Sequence, residues 1–199
     1  MRGAVLRPVR CDFMQLILAS ASPRRKQILA ETGARFYVVV SEGEERPDLS
    51  LPPEEIVKSL ARQKAENVFA RYPGAAVLGA DTIVYFEGEV LGKPKSEEDA
   101  AEMLRRLSGK AHSVYTGYCI LAGERRIEGA CRTEVVFNDL SEQFIRAYVA
   151  GGSPMDKAGA YGIQDDARLV KEYRGSYTNI VGLPREEVAA KLKQIGLLE

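Results

Sequence analysis

The sequence predicts an α/β fold built on a mixed β-sheet. Short apolar and β-branched runs alternate with segments that carry helix caps and helical spacing of apolar residues. Several of these runs are also neighbours in the chain and are separated only by short glycine-containing turns, which is typical of antiparallel hairpins. Because strands that alternate with helices favour parallel pairing, the two patterns together indicate a sheet with both kinds of pairing.

Caps, turns and apolar spacing place the elements of the first half of the chain. A short buried strand at 15–19 leads through Ser22-Pro23 into a helix at 24–31, because serine is a good N-cap and proline suits the first helical turn. We expect the elements that follow to be a strand at 36–40, a polar loop at 41–51, a helix at 52–72, a strand at 75–78 that ends at Gly79-Ala80-Asp81, and a hairpin of 82–86 with 89–91.

The second half begins with a helix that Ser96 caps and Gly109 ends. Its first turn is acidic, and negative charge is favourable at the N-terminal end of a helix. The remaining elements are predicted as strands at 114–122 and 127–137, a helix that Ser141 opens and Gly151 stops, a loop at 154–166, a strand at 169–173 and a closing helix at 184–195.

Composition excludes several classes of protein. Lysine and arginine number 28, as do aspartate and glutamate, so the net charge is zero and a general nucleic-acid coat is not expected. The three cysteines are odd in number and form no Cys-x-x-Cys pair, which argues against a disulfide scaffold or a zinc ribbon and favours a reducing compartment. No apolar run approaches the roughly 20 residues that span a bilayer, so no membrane partner is expected. We predict that residues 1–13 are a loose extension and 14–199 one domain.

Two arginines in the first turn of the first helix are the first candidate for chemistry. Arg24 and Arg25 would oppose the helix dipole, which is unfavourable unless an anion joins them. A phosphate suits this position because guanidinium groups and unpaired backbone N–H groups both bind its oxygens. The alternative is a pair of solvated arginines beside an ordinary cap, and spacing alone does not decide between the two.

Carboxylates supply the second candidate. Asp81 follows a predicted buried strand, and the carboxyl end of a strand is the usual ligand crevice of an α/β sheet. An aspartate there can hold Mg²⁺ or accept a proton from water, although many such residues only bond to their own turn. A carboxylate of the acidic loop 42–48 can join Asp81 around a cation, or the loop can simply be solvated.

The segment from Gly88 to Pro94 resembles a Walker A loop but does not satisfy that motif. Its two glycines have three residues between them instead of four, and Pro94 replaces the hydroxyl residue that would hold magnesium. Lys93 can still contact a phosphate as a point charge, or it can be a solvent-exposed turn lysine.

A single histidine excludes other chemistries. With only His112, a histidine-rich zinc site cannot form, and no Gly-x-Ser-x-Gly elbow accompanies it for a serine hydrolase. We therefore expect His112 to be a structural residue near the start of a strand, and the cysteines to belong to the core or to an inert surface.

Taken together, these segments resemble the Maf family of nucleoside triphosphate pyrophosphatases. The resemblance covers nearly the whole chain from Met14 onward and leaves residues 1–13 outside it. The matching stretches are LILASASPRRKQIL (16–29), SEGEERP (41–47), LARQKAENV (60–68), VLGADTIVYFEGEVLGKP (77–94), LSGKAHSVYTG (107–117), DKAGAYGIQ (156–164) and GSYTNIVGLP (175–184).

The resemblance implies a two-lobed α/β fold like that of inosine triphosphatases, with an elongated mixed sheet flanked by helices and a central cleft. It also implies a cytoplasmic homodimer that cleaves nucleoside triphosphates between the α- and β-phosphates with Mg²⁺ or Mn²⁺. Carried over by motif position, the site residues are Asp81 as proton acceptor, Glu45 and Lys93 as further catalytic residues, Glu45 and Asp81 as metal ligands, and Ser20, Arg25 and Lys64 as substrate-binding residues.

Three further positions separate the subgroups of the family, and here they are Arg24, Thr82 and Gln164. They resemble the dTTP/UTP subgroup, whereas the 7-methyl-GTP subgroup typically has Trp, Gln and Glu. A glutamine amide can donate to a carbonyl of uracil or thymine and accept from N3–H. The alternatives to a dTTP/UTP pyrophosphatase are a 7-methyl-GTP-type pyrophosphatase and a non-enzymatic, nucleotide-sensing regulator of cell division.

Overall fold

In a computed structural model that describes residues 14–198, strands and helices interleave as the sequence predicts. The predicted extension at 1–13 lies outside the described residues. The elements are β1 (Leu16–Leu18), α1 (Pro23–Ala30), β2 (Phe36–Val38), α2 (Pro53–Phe69), β3 (Ala76–Phe86), β4 (Glu89–Leu91), α3 (Glu97–Leu107), β5 (Ala111–Ala122), β6 (Arg125–Phe137), α4 (Glu142–Ala150), β7 (Val170–Arg174), α5 (Tyr177–Val181) and α6 (Arg185–Gln194).

The strands form one mixed sheet, which confirms the predicted fold class. Its order is β2-β1-β3-β5-β6-β7, and β4 pairs with β3 beside that path. Strand β1 runs parallel to both β2 and β3, while the pairs β3–β4, β3–β5, β5–β6 and β6–β7 are antiparallel. The parallel pairs therefore join strands that helices connect, whereas two of the antiparallel pairs, β3–β4 and β5–β6, are hairpins and the other two join strands with a helix between them.

Two lobes share this sheet. In one lobe α3 and α4 cover a core that includes Leu104 and Phe137, and in the other α1 and α6 cover a core that includes Leu29 and Leu192. Strands β3, β5 and β6 have 11, 12 and 13 residues, and β3 contributes side chains to both cores. The long strands thus connect the lobes, and the predicted two-lobed, elongated sheet is confirmed.

Strand β3 differs from the sequence prediction because it does not end before Asp81. It continues from Ala76 to Phe86, and Asp81 lies in its middle, paired with Gly117 of β5. Gly79, where the predicted strand ended, has a packing role instead: a Cβ on Gly79 would lie 2.2 Å from the carbonyl oxygen of Ala61. Gly79 therefore permits close packing of α2 on the strand and does not end it.

The region between α4 and α6 contains more helix than predicted. The predicted loop at 154–166 includes two 3₁₀ turns, Ser153–Asp156 and Ala158–Ala160, and α5 was not predicted. Ser176 caps α5 by accepting a hydrogen bond from the N–H of Asn179. Within residues 14–198, no helix has the length and apolar character needed to cross a bilayer.

Candidate active site

A cleft of about 720 Å³ lies between the lobes, beside the middle of β3. Its wall contains all nine residues that the sequence singled out: Ser20, Arg24, Arg25, Glu45, Lys64, Asp81, Thr82, Lys93 and Gln164. The roles predicted for them stay predictions, but residues from five separate segments of the chain do meet in one place.

The cleft opens where β1 ends and its neighbour continues. Leu18 is the last residue of β1 and pairs with Leu78, whereas β3 runs on through Asp81 and Thr82. Ser20 therefore lies beyond the end of β1, on the same cleft wall as Asp81 of β3. The crevice lies outside the carboxyl end of a parallel strand, as expected for an α/β sheet, but that strand is β1 and not the one that bears Asp81.

Lys64 lies between two carboxylates on the cleft wall. Its Nζ donates a hydrogen bond to Asp81 Oδ1 and lies 3.1 Å from Glu45 Oε1. The side chains of Lys64 and Asp81 are 11% and 12% exposed, whereas that of Glu45 is 50% exposed. A nearly buried lysine thus has acceptors on two sides, and leaving Lys64 or Asp81 unpaired would be costly because both are nearly buried.

Helix α2 positions both Lys64 and Glu45. Ala61 and Ala65, one turn apart on α2, are fully buried against the sheet, so the neighbouring Lys64 faces β3. Gln63 holds the acidic loop, because its amide accepts from the backbone N–H of Arg46 at 3.1 Å and donates to the Arg46 carbonyl at 3.2 Å. Sequence reasoning missed this role of Gln63, which lies in the matching stretch 60–68.

Arg25 is held by three acceptors from different parts of the fold. Nε donates to the Gly182 carbonyl at 2.8 Å, one terminal nitrogen to Thr82 Oγ1 at 3.0 Å and the other to Ser20 Oγ at 3.4 Å. Burial lowers the pKa of Arg25, and the negative charges of Asp81 and Glu45 oppose that change. Since a guanidinium carries five N–H groups, two remain for a ligand oxygen.

Thr82 belongs to a directed chain of hydrogen bonds. Its Oγ1 lies 2.9 Å from Thr116 Oγ1, and Thr116 donates to the Asn179 carbonyl at 2.9 Å. Each hydroxyl has one hydrogen, so Thr82 accepts from Arg25 and must itself donate to Thr116. Thr82 therefore has no proton left for a ligand. Sequence reasoning did not single out Thr116 or Asn179, although both lie in matching stretches.

Lys93 lies on the rim of the cleft, in the loop between β4 and α3. It is exposed, and no carboxylate in the described part of the chain forms an ion pair with it. The neighbouring Gly92 carbonyl accepts from the N–H of Gly159 at 3.0 Å, which attaches this loop to the second 3₁₀ turn. The ammonium group is thus placed on the rim with its charge uncompensated.

Arg24 and Gln164 both contact residues that the sequence did not indicate. An Arg24 terminal nitrogen lies 3.1 Å from Asp156 Oδ2, and the Gln164 amide donates to Asp165 Oδ1 at 3.2 Å. Buried Lys157 lies between the two acids, with its Nζ 2.9 Å from Asp156 Oδ1 and 3.4 Å from Asp165 Oδ2. Burial acts to raise the pKa of Asp156, but Lys157 and Arg24 together bring that pKa below its ordinary value.

The family profile described as Maf-like protein matches residues 15–195 of this chain. The chain belongs to the Maf family. Curated relatives similar to it include a dTTP/UTP pyrophosphatase of Thermococcus gammatolerans, 50% identical over 91% of this chain and 96% of that protein. Proteins of the same name from Geobacillus sp. (strain WCH70) and Symbiobacterium thermophilum are 48% and 49% identical, each over 92% of this chain and over 98% and 95% of their own lengths.

A solved structure shares the fold of this Maf chain. The Ham1 protein of Staphylococcus aureus aligns with a TM-score of 0.51 over 91% of this chain and 99% of that chain. Because the two sequences are only 12% identical, this likeness supports the architecture alone.

The two carboxylates of the cleft, Glu45 and Asp81, are groups of the kind that bind a divalent metal ion. Glu45 and Asp81 both face the Lys64 ammonium group, so both can approach a common cation. Within residues 14–198, no three His, Cys, Asp or Glu side chains cluster as a metal site. Two carboxylates with water and substrate oxygens are a set that Mg²⁺ and Mn²⁺ accept. The pair therefore fits such an ion, provided that the substrate supplies further ligands.

Proposed function

We propose that this Maf-family protein hydrolyses dTTP and UTP between the α- and β-phosphates, releasing the monophosphate and pyrophosphate. One observation carries the proposal: Asp81, Lys64 and Glu45 form an ion-paired cluster in the same cleft as Arg25 and Lys93. The relatives named dTTP/UTP pyrophosphatase, which match over most of both lengths, support the choice of reaction.

The residues of the cleft suit a reaction at the α-phosphorus. Hydrolysis there needs an activated water and stabilisation of the charge that grows on the departing pyrophosphate. Asp81 is the group that accepts the proton of the water. Arg25, Lys64 and Lys93 provide positive charge for the triphosphate, whose own charge is roughly −4, and Ser20 adds a hydroxyl near Arg25.

Glu45 and Asp81 are the residues that would hold Mg²⁺ or Mn²⁺, which would neutralise phosphate charge and lower the pKa of a bound water. In this protein Lys64 already forms ion pairs with both carboxylates, although its single charge neutralises only one of them. Lys64 can exchange these contacts for a phosphate oxygen when another cation takes them over. Since a carboxylate that binds a cation is a weaker base, the two roles of Asp81 compete.

Arg24, Thr82 and Gln164 occupy the three positions that separate the subgroups of the family, so we consider them for base preference. Of these, Thr82 is committed to Arg25 and Thr116, and Arg24 is paired with Asp156. Gln164 is exposed on the cleft wall and retains hydrogen-bonding groups for a base. We therefore assign the reading of the pyrimidine edge to Gln164, and to Thr82 the support of Arg25.

The test is pyrophosphate release from UTP, dTTP, CTP, GTP and 7-methyl-GTP, with Mg²⁺, Mn²⁺ or EDTA. We expect release from UTP and dTTP that EDTA abolishes and that Asp81→Asn lowers by about 10²-fold or more. Asp139→Asn is the matched control, because Asp139 is exposed and lies outside the cleft wall.

Two other results would contradict parts of the proposal. Release from 7-methyl-GTP alone would keep the reaction but reject the pyrimidine assignment. If well-folded protein released no pyrophosphate from any of the five nucleotides, the result would reject the enzyme and favour a nucleotide-sensing regulator. In that case the wild type would show no hydrolysis, and Asp81→Asn would abolish nucleotide binding or a cell-division phenotype.

We also propose that the protein works in the cytoplasm as a homodimer and does not act on nucleic acid. The dimer is supported by exposed apolar side chains on and just after β2, an edge strand of the sheet: Tyr37, Val38 and Val40 are 61%, 41% and 47% exposed. Light scattering during size-exclusion chromatography would give the oligomeric state, and a monomeric mass at micromolar concentration would reject the dimer.

A further inference from the structure

The amide of Gln164 is oriented by the residue that follows it. Gln164 Nε2 donates to Asp165 Oδ1 at 3.2 Å. A carboxylate only accepts hydrogen bonds, so the opposite orientation of the amide would place Gln164 Oε1 against a negatively charged oxygen. Gln164 Oε1 and the second N–H of Nε2 are therefore the groups that remain for a ligand.

Asp165 is itself held on its other oxygen by two hydrogen-bond donors and an ion pair. Oδ2 accepts from Ser153 Oγ at 2.5 Å and from Tyr148 Oη at 2.7 Å, and Lys157 Nζ lies 3.4 Å away. Lys157 is 8% exposed and is also bonded to the Ser153 backbone carbonyl. Because these donors come from α4 and from the first 3₁₀ turn, the carboxylate cannot rotate without breaking contacts to two elements.

We propose that Asp165 is a specificity-determining residue, which selects uracil and thymine over cytosine by locking the orientation of the Gln164 amide. The inference rests on the proposed function, which places a pyrimidine against Gln164. Asp165 acts through Gln164 and does not touch the base, so it is a positioning residue.

The chemistry of the two bases explains the selection. At ring positions 3 and 4, uracil and thymine present a donor, N3–H, and an acceptor, O4. Cytosine presents the reverse, an acceptor at N3 and a donor at N4. The locked amide matches uracil, since Gln164 Oε1 accepts from N3–H and Nε2 donates to O4. Cytosine needs the flipped amide, which Asp165 opposes.

Asp165→Asn tests the inference directly because the two hydroxyl donors at Oδ2, Ser153 and Tyr148, should retain the oxygen of the new side chain. Its amino group then faces Gln164, and this favours the flipped amide. Asp165→Ala removes the hydrogen bond that orients the Gln164 amide and favours neither orientation. Asp166→Asn is the matched control: it removes the same charge one residue further on, where the carboxylate bonds to Arg168 and not to Gln164.

The measurement is the dissociation constant of α,β-methylene-UTP and of α,β-methylene-CTP, by calorimetry, with thermal melts to verify folding. We expect wild type and Asp166→Asn to prefer the uracil analogue by about tenfold. The preference should fall to about one in Asp165→Ala and should fall further or invert in Asp165→Asn. Either Asp165 variant alone is informative if the other does not fold.

An unchanged preference in a folded Asp165 variant would overturn the inference, as would an equal loss of affinity for both analogues or a wild type without preference. Failure of the proposed function has a different signature. Wild-type protein that prefers the uracil analogue but releases no pyrophosphate from UTP would reject hydrolysis, and the binding preferences of the variants would still decide the role of Asp165.

Discussion

At the scale of single residues, the hydrogen bonds of Arg25 distinguish between the two interpretations of the first turn of α1. The sequence left open whether Arg24 and Arg25 are solvated or bind an anion. Arg25 is not simply solvated, because its guanidinium bonds to Ser20, Thr82 and the Gly182 carbonyl. Its burial beside a helix N-terminus is unfavourable without negative charge nearby, and Asp81 and Glu45 supply part of that charge. Phosphate binding by Arg25 stays a prediction that this geometry supports.

His112 is the structural residue that the sequence predicted. It is 4% exposed near the start of β5, its Nε2 lies 2.7 Å from Tyr161 Oη, and its ring packs edge-on against Phe137. Burial lowers the pKa of His112 to about 4, whereas in the unfolded chain it is about 6.5. Between these two values the unfolded state binds a proton that the folded state does not.

The stability of the protein should therefore fall as the pH falls through this window. We expect the free energy of unfolding to drop by about 2 kcal/mol between pH 7 and pH 5 because of His112 alone. Urea denaturation at several pH values would measure the drop, and His112→Gln should remove it, since the chain has no other histidine. Parallel curves for the two proteins above pH 5 would contradict the prediction.

At the scale of elements, the contact of α2 with β3 and β5 is what builds the cleft. Gly79 and Gly117 leave room for the backbone of α2: added Cβ atoms would lie 2.2 Å from the Ala61 carbonyl oxygen and 2.4 Å from the Val57 carbonyl carbon. The helix thus approaches the sheet closely at two points. Because α2 carries Lys64, this close approach also sets how far Lys64 reaches toward Asp81.

Gly79→Ala should separate the helix from the strand and weaken the site. We expect a loss of roughly 1–3 kcal/mol in the free energy of unfolding, because backbone atoms cannot move aside as a flexible side chain can. Pyrophosphate release should fall as well, since Lys64 moves with α2. Denaturant titration and the release assay would measure the two effects.

Gly74→Ala is the control for this change. No atom lies within 4 Å of a Cβ at Gly74, and the φ of Gly74 is not positive, so the substitution should be nearly neutral. Equal behaviour of the two alanine variants would show that α2 does not depend on the missing Cβ at Gly79.

At the scale of the whole molecule, the lobes are joined by strands and not by a linker. Strand β3 contributes Leu78 to the core of one lobe and Phe86 to that of the other. Unfolding either core would expose part of the same three long strands. We therefore predict that residues 14–199 unfold in a single cooperative transition, as one domain.

Calorimetry on the wild type and on two core variants would test this prediction. Leu104→Ala in one lobe and Leu29→Ala in the other each remove a fully buried side chain and should cost about 2–5 kcal/mol. Each should move the same single transition, with equal calorimetric and van't Hoff enthalpies. Two transitions, each shifted by only one of the variants, would show independent lobes.

Local patterns in the sequence predict the order and type of most of the elements, and the resemblance to a family identifies nine of the residues that line the cleft. Caps such as Ser22, Ser96 and Ser141 act within one turn of helix, so they are visible in the sequence. The site residues were found because their motifs resemble those of a family, since local patterns alone left each of them with an alternative.

The contacts that connect those residues are visible only in the folded protein. The sequence predicted that a strand ends at Gly79-Ala80-Asp81, but in the fold the strand continues and Gly79 allows α2 to pack closely against it. Thr82 and Thr116 are 34 residues apart in the chain, and Arg25 lies 157 residues from its acceptor Gly182. Hydrogen bonds of this kind depend on how strands pair and where helices pack. The spacing of residues within a short segment therefore does not predict them.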